Sequence, residues 1–181
     1  PQGYFAKVEL PGDRVFEVEG TGGDVFLGGI DFDEALIEYV LADFGASQSI
    51  DLRADPIAMQ RLRDMAERIK QELSNRQEAP LTIPFVAVPP SGPVDLNMII
   101  RRQELEELVA PLIERTFDTC MRVLDNIGLV PEDIDDIILV GGQTRMPLIQ
   151  QRIRRVFGRE PTKTVHPDEA VAIGAALYAW S

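Results

Sequence analysis

Alternating apolar and polar residues mark strands in the first and middle parts of the chain. Residues 4–10 and 15–20 follow this period of two and predict a hairpin, because the turn residues 11–13 separate them. Two more strands are expected over residues 81–88 and 94–100, on either side of a proline-rich turn. The pattern therefore predicts two strand pairs, one at the start of the chain and one in its middle.

Apolar residues three or four positions apart predict helices between and after these strands. One helix is expected to follow Asp31, a candidate N-cap, and to end before Gly45. A second is predicted over residues 56–74. A third is predicted over residues 103–127, with an interruption or a kink at Pro111.

The last third of the chain has a different character. Residues 137–140 form a continuous apolar run, Ile-Ile-Leu-Val, which is typical of a strand buried on both faces. Gly141 and Gly142 follow it, a helix is expected to begin near Pro147, and a final helix is predicted over residues 167–178. A strand, a glycine turn and a helix in this order predict an α/β unit. No P-loop motif occurs.

Composition narrows the classes of partner. The chain has 181 residues, with 30 Asp and Glu against 18 Lys and Arg, and a formal net charge of −12. This length fits one large domain or two small subdomains. The negative charge argues against nucleic acid or an anionic membrane as a partner. Cys120 and His166 are the only residues of their types, so we expect no disulfide and no metal site. With neither a long apolar run nor a signal-peptide pattern at residues 1–4, a cytoplasmic location is expected.

The glycine pair at the predicted strand–helix junction is a candidate binding site. A helix N-terminus presents backbone N–H groups and a positive dipole end, which suit an anion or a planar ring lying on the backbone. Arg145 adds a flat cation that can stack on an aromatic ring. An ordinary tight turn with a surface arginine explains the same residues, and the pattern alone leaves both interpretations open.

Two further segments carry polar groups. Glu67, Lys70 and Ser74 fall on one side of the second predicted helix and could hold a ribose, although the pattern alone favours a simple solvated ion pair of Glu67 and Lys70. Asp168 lies in the first turn of the last predicted helix, where the helix dipole favours a carboxylate. Taken alone, this last segment is a well-formed helix start, and His166 before it is read as a capping or surface residue.

Four segments, in order, resemble the nucleotide-binding domain of the DnaK, or seventy-kilodalton heat-shock, chaperones. They are Gly-Gly-Ile-Asp-Phe-Asp at 28–33, Glu-Arg-Ile-Lys-Gln-Glu-Leu-Ser at 67–74, Ile-Leu-Val-Gly-Gly-Gln-Thr-Arg-Met-Pro at 138–147 and Pro-Asp-Glu-Ala-Val-Ala-Ile-Gly-Ala at 167–175. The resemblance covers nearly the whole chain. It implies a chaperone ATPase that is involved in protein folding and the stress response, and that binds ATP and ADP, with Mg²⁺ in the full-length parent.

The resemblance also implies an architecture. The expected fold class is α/β, an actin-like ATPase lobe with a mixed sheet flanked by helices, plus a smaller α+β outer subdomain of sheet and helices. The chain is expected to be the second lobe only. Its base subdomain would comprise residues 1–27 and 111–181, and its outer subdomain residues 28–110. The first lobe and the peptide-binding domain of the parent would then be partners of this chain.

Roles for individual residues follow from the same resemblance. Contacts to adenosine are implied for Glu67, Lys70 and Ser74. Gly141 and Gly142 would pass close to the nucleotide, and Arg145 would stack near the base. Gly29 would lie near the phosphates and Asp168 beside the adenosine pocket. No catalytic residue and no metal ligand is assigned within the chain.

Departures from the family pattern limit the expected activity. Residues 3–6, Gly-Tyr-Phe-Ala, stand about where the family has Gly-Thr-Phe-Asp in a phosphate loop, so either that loop is altered or it lies outside these residues. Ile30 and His166 also depart from the family's usual residues. We therefore expect that the chain alone does not hydrolyse ATP. The resemblance implies a nucleotide-exchange factor and a J-domain co-chaperone as partners of the parent. Two alternatives are a docking module for an exchange factor and a lobe of another actin-like ATPase or kinase, such as a sugar kinase.

Overall fold

A computed structural model describes residues 2–9, 15–162 and 172–176, and for residues 2–9 and 15–16 it describes the backbone only. The chain divides into two compact units, which are described separately. The first comprises Pro1–Gly28 and Ile113–Ser181, and the second comprises Gly29–Leu112.

Eight strands and α-helices follow one another along the residues described between positions 2 and 162. In chain order they are β1 (Gln2–Glu9), β2 (Val15–Gly23), α1 (Gly29–Gln48), α2 (Pro56–Leu73), β3 (Glu78–Ala87), β4 (Val94–Arg101), α3 (Arg102–Ile127) and α4 (Pro147–Phe157). Short 3-10 helices lie at Leu52–Ala54, Pro131–Asp133 and Gly142–Arg145. Both predicted strand pairs are present, each antiparallel. The class is α/β, as the sequence predicts.

The second unit is built around α1, α2 and the β3–β4 pair. Every second residue of β3 from Ala79 to Ile83 is buried, so one face of the pair turns toward the core. That face packs on α2, and α2 also packs on α1. The fully buried side chains of this core are Leu36, Val40, Leu62, Ile69, Leu73, Leu81, Leu96, Ile100, Leu105 and Val109.

Helix α1 differs from its predicted limits at both ends. It begins at Gly29, so Asp31 lies inside the first turn and is not the N-cap. It continues through Gly45 to Gln48, and the chain turns away at Ser49, whose φ is 56°. A glycine inside a helix costs about 0.5–1 kcal/mol. Burial of Phe44 and its apolar neighbours on α1 outweighs that cost.

Helix α3 is continuous across Pro111, so the predicted interruption does not occur. Proline inside a helix removes one hydrogen bond and costs about 3 kcal/mol. Buried residues recur at four-residue spacing on both sides of it, at Leu105, Val109, Ile113 and Phe117. Their burial holds the helix together across the proline. The predicted stop at Gly128 is confirmed, since Gly128 has a φ of 72° just after the helix.

In the first unit, β2 lies unusually close to the C-terminal half of α3. A Cβ atom added to Gly20 would come within 2.9 Å of Ile127 Cγ2. A Cβ atom added to Gly22 would overlap Val123 Cγ2. Both glycines therefore serve close packing of the strand against the helix, a reading that the sequence pattern alone does not provide.

The predicted strand over residues 137–140 is wrong as a buried strand. Only Ile138 pairs, in an isolated parallel bridge with Thr162, supported by a 2.8 Å hydrogen bond from Thr162 N to Ile137 O. Ile138 is 54% exposed and Val140 45% exposed. A strand buried on both faces needs paired neighbours and covering layers. Within the described part of the chain, this run pairs at Thr162 alone, so its apolar side chains stay partly exposed.

The predicted last helix is described in part, because residues 172–176 are helical. The rest of the predicted segment 167–178, with Asp168, lies outside the described residues, as do His166 and the turn 11–13. Among the helices that are described, none is long and apolar enough to cross a membrane.

We expect Gly22→Ala to lower the free energy of unfolding by about 1–3 kcal/mol, because the added methyl group overlaps the stiff side chain of Val123. Urea denaturation measures this loss. Combining it with Val123→Ala, which removes the clashing methyl groups, should cost less than the sum of the two single losses. Strictly additive losses would contradict the close approach of β2 to α3.

Candidate functional site

Helix α2 carries three of the predicted site residues, and its sequence explains its position. Asp55 caps its N-terminus, since the carboxylate accepts hydrogen bonds from Ile57 N at 2.8 Å and Ala58 N at 3.1 Å, and Pro56 occupies the first turn. One face of the helix is buried, through Ala58, Leu62, Ala66, Ile69 and Leu73. Burial of that face fixes the rotation of the helix, so Glu67 and Lys70 lie off the core.

Lys70 is held between two groups of α1. Its ammonium Nζ donates to Gly29 O at 2.9 Å and to Asp33 Oδ2 at 2.8 Å, and it lies 2.8 Å from Asp33 Oδ1 as well. The Lys70 side chain is 11% exposed and the Asp33 side chain 16%. The structure thus brings two predicted site residues, Gly29 and Lys70, into direct contact.

Asp33 is the site residue that sequence reasoning missed. Burial raises the pKa of its carboxyl group above the ordinary value, and the nearby Glu67 charge adds to this, while the hydrogen bond and charge of Lys70 act in the opposite direction. Asp33 Oδ1 is buried and lies beside the Lys70 ammonium group, but among the described residues no donor has hydrogen-bond geometry toward it. The signal available in the sequence was its place at the end of Gly-Gly-Ile-Asp-Phe-Asp, the first segment of the family resemblance.

Ser74 and Glu67 lie on either side of Lys70 along α2. Ser74 follows the last residue of the helix, and its hydroxyl donates to Lys70 O at 3.3 Å. Glu67 is exposed and its Oε1 accepts from Gln71 Nε2 at 3.4 Å. A carboxylate, an ammonium group and a hydroxyl therefore line one side of this helix, as the periodicity predicted.

The glycine pair forms a tight turn in the first unit. Gly141 has φ 88° and ψ 148°, a conformation that side chains with a Cβ rarely adopt. Its carbonyl accepts hydrogen bonds from Thr144 N at 3.1 Å and Thr144 Oγ1 at 2.7 Å. The 3-10 helix Gly142–Arg145 follows, and α4 begins after the buried Met146. The predicted glycine turn before a helix at Pro147 is therefore confirmed.

The surface of this turn is open. No atom of the described residues lies within 4 Å of the position that a Cβ would take on Gly141 or Gly142. Arg145 is exposed at the end of the same turn. A flat ring therefore has room to lie directly on the two peptide units, and Arg145 is of a residue type that can stack on such a ring.

Helix α4 is anchored by an arginine that the sequence did not single out. Arg152 Nη2 pairs with Glu114 Oε2 at 2.6 Å, and the guanidinium carbon lies 5.5 Å from the centre of the Phe117 ring. Both partners are on α3. Because α4 follows directly from the glycine turn, this contact fixes the helix that carries the turn.

The predicted site residues therefore fall into three sets. Gly29, Glu67, Lys70 and Ser74 belong to the unit Gly29–Leu112, whereas Gly141, Gly142 and Arg145 belong to the other unit. Asp168 lies outside the described residues. The assignment of all eight to one nucleotide site stays a prediction.

A family model described as Hsp70 protein matches residues 8–180 of the chain. The chain belongs to the Hsp70 family. Membership implies a nucleotide-binding chaperone ATPase with the actin-like ATPase fold, and it does not favour the docking-module and sugar-kinase alternatives.

Adenine nucleotides are the ligands that the family binds, and each unit carries groups of a kind that could contact part of such a ligand. The open backbone at Gly141 and Gly142 has room for a ring. Lys70 and Glu67 offer a donor and an acceptor for the hydroxyl groups of a sugar. Glu67 is exposed, whereas the Lys70 side chain is 11% exposed.

We expect Gly141→Ala to lower the free energy of unfolding by about 1–3 kcal/mol, because alanine is strained at a φ of 88°. The matched control is Gly142→Ala, whose Cβ meets no described atom within 4 Å and needs no positive φ. It should change stability by less than about 0.5 kcal/mol. Equal losses in urea denaturation would contradict the turn geometry.

The raised pKa of Asp33 predicts how stability changes with pH. The folded state binds the proton of this carboxyl group more tightly than the unfolded state, so its contribution is present at low pH and lost as pH rises through the raised pKa. The unfolding free energy of the wild type minus that of Asp33→Asn should therefore fall as the pH rises above the ordinary pKa of an aspartate and through the raised pKa of Asp33.

Urea denaturation at several pH values measures this difference. Glu34→Gln, which removes the exposed carboxylate next to Asp33, controls for the loss of one negative charge on α1. A difference between wild type and Asp33→Asn that rises with pH would contradict the assigned direction.

Proposed function

We propose that this chain is the second lobe of the nucleotide-binding domain of a DnaK-type chaperone, and that it binds the adenosine part of ATP and ADP. In this proposal residues 1–27 and 111–181 form the base subdomain and residues 28–110 the outer subdomain. Lys70, Glu67 and Ser74 contact the ribose and base, and Gly141, Gly142 and Arg145 lie against the adenine ring. Gly29 lies near the phosphates and Asp168 beside the adenosine pocket.

The contact between Lys70 and the first turn of α1 is the observation that carries this proposal. Two of the segments that resemble the chaperones, 28–33 and 67–74, are distant in sequence, and the 2.9 Å hydrogen bond from Lys70 Nζ to Gly29 O joins them. A solvated pair of Glu67 and Lys70, the simpler interpretation of the stripe, is not supported. Lys70 instead pairs with Asp33 and is largely buried.

The second support is the form of the glycine turn. Gly141 lies in an exposed turn and has a backbone conformation that glycine adopts without strain but that side chains with a Cβ rarely adopt. Glycine is common at such positions where a backbone approaches a ligand closely. Arg145 at the end of the turn supplies a planar group for stacking on an aromatic base.

The charged groups at the proposed site also support the proposal that the chain binds nucleotide without hydrolysing ATP. Phosphoryl transfer depends on positioned phosphates and on metal and cationic groups that stabilise the developing charge. Lys70 is the cation among the three proposed site residues at α2, and Asp33 already pairs with it. The resemblance assigns the Mg²⁺ and phosphate machinery largely to the first lobe, so we propose that hydrolysis requires that lobe.

The remaining parts of the proposal concern the parent protein. Its first lobe and peptide-binding domain, a nucleotide-exchange factor and a J-domain co-chaperone are the proposed partners, with a role in the heat-shock response. A cytoplasmic location is proposed on composition alone. The net charge of −12 argues against nucleic acid or an anionic membrane as a partner.

Calorimetric titration of ADP into the 181-residue chain tests the nucleotide site. We expect detectable binding, weakened about 10- to 100-fold by Lys70→Ala and by Arg145→Ala, because each removes a hydrogen-bonding or stacking cation. Arg68→Ala and Arg155→Ala are matched controls. Arg68 is an exposed cation on α2, and Arg155 is an exposed cation on α4, the helix that follows the glycine turn. Phosphate release from ATP should stay at the buffer rate.

Two outcomes would contradict the proposal. ADP affinity that neither Lys70→Ala nor Arg145→Ala changes would refute the site assignment. Multiple turnovers of ATP by the purified chain would refute the claim that hydrolysis requires the other lobe.

A further inference from the structure

Asp33 forms the closest ionic contact in the unit Gly29–Leu112 that involves a proposed site residue. Both of its carboxylate oxygens lie 2.8 Å from Lys70 Nζ, and both side chains are largely withdrawn from water. A pair in this position is screened little by solvent and salt, unlike an exposed ion pair on a helix surface. Asp33 therefore controls where the Lys70 ammonium group lies.

The balance of charge around Lys70 is the second observation. Burial is the main cause of the raised pKa of the Asp33 carboxyl group, and Glu67 is close enough for its charge to add to this effect. The cluster of Asp33, Glu67 and Lys70 thus contains two carboxylates and one ammonium group. Such a cluster repels a phosphate and attracts neutral groups that donate hydrogen bonds, among which sugar hydroxyl groups are the ones a nucleotide provides.

We propose that Asp33 is a positioning residue that holds Lys70 for the ribose hydroxyl groups of the nucleotide and keeps it from serving as a phosphate-binding cation. This inference rests on the proposed function and deepens it. The Lys70 ammonium group donates one N–H to Asp33 and one to the Gly29 carbonyl. These two hydrogen bonds fix the direction of the third N–H. That N–H donates to a ribose oxygen, and the exposed Glu67 carboxylate accepts from a ribose hydroxyl group.

Phosphate recognition needs the opposite arrangement. A lysine that binds phosphate acts as a point charge, and its effect is lost when a carboxylate already lies 2.8 Å away. The neutralised Lys70 is suited to distinguish sugars by geometry, because the two fixed acceptors restrict the direction of its remaining donor. Asp33 should therefore control how strongly the site prefers ribose over a sugar that lacks the ribose hydroxyl groups.

Competition between ADP and 2′,3′-dideoxy-ADP for the 181-residue chain tests this role. We expect the wild type to bind ADP about tenfold more tightly than the dideoxy analogue, the effect of one or two hydrogen bonds to charged groups. In Asp33→Asn this ratio should fall close to one. Glu34→Gln, an equal change of charge at the next residue of α1, should keep the ratio of the wild type.

A second measurement requires no nucleotide. Acylation of Lys70 by an amine-reactive acetylating reagent, followed by mass spectrometry, should be several times faster in Asp33→Asn than in the wild type, because the ammonium group loses its ionic partner. Lys163 serves as the internal reference in each sample. An unchanged rate at Lys70 would overturn the claim that Asp33 holds it.

The outcomes separate this inference from the function on which it rests. If the wild type binds no ADP, the proposed function fails and the ribose role fails with it. If the wild type binds ADP and Asp33→Asn keeps the preference for ribose, only the role of Asp33 is overturned. A lost preference with faster acylation supports the inference.

Discussion

Burial of one face of α2 is the constraint on which the candidate site depends. Leu62, Ile69 and Leu73 are almost completely removed from water and fix the rotation of the helix about its axis. That rotation also sets the direction in which the polar side of the same helix faces. Lys70 then reaches the first turn of α1, where the Gly29 carbonyl and the Asp33 carboxylate receive it. Packing of the core therefore also places the Lys70 ammonium group.

In the first unit, the candidate site residues are positioned in a different way. Its glycine turn is set by backbone geometry at Gly141 and by the hydrogen bonds that Thr144 donates to the Gly141 carbonyl. The helix that follows is fixed by Arg152, which pairs with Glu114 and lies over Phe117. A turn whose own surface is open is therefore supported from the side that faces α3.

Periodicity was enough to predict the elements, and it failed where long-range contacts decide. The amphipathic pattern placed α2 within one residue of its observed end, because the buried and polar sides of that helix differ strongly. The same rules ended α1 at Gly45 and interrupted α3 at Pro111, since local propensity gives no weight to the burial of residues such as Phe44 and Ile113. The apolar run at 137–140 was read as a buried strand, yet its burial depends on neighbours that the run itself does not specify.

The sequence predicted which residue types make up the candidate site, but it did not predict that Lys70 pairs with Asp33. Glu67, Lys70 and Ser74 share a stripe whatever the rest of the fold does, so spacing found them. Asp33 is 37 residues from Lys70 along the chain, and no local pattern marks it as the partner. Family resemblance drew attention to the segment that contains Asp33, but the contact itself appears only when α1 and α2 pack.

Pro111 lies next to the point at which α3 passes from one compact unit to the other, since the division falls between Leu112 and Ile113. Proline has no N–H, so the carbonyl of Glu107, four residues earlier, lacks its helical partner. The backbone of α3 is therefore weakest near the boundary between the units. A local opening that spreads along the helix from either unit meets a missing hydrogen bond there, which favours cooperative opening of one unit at a time and limits its spread to the other.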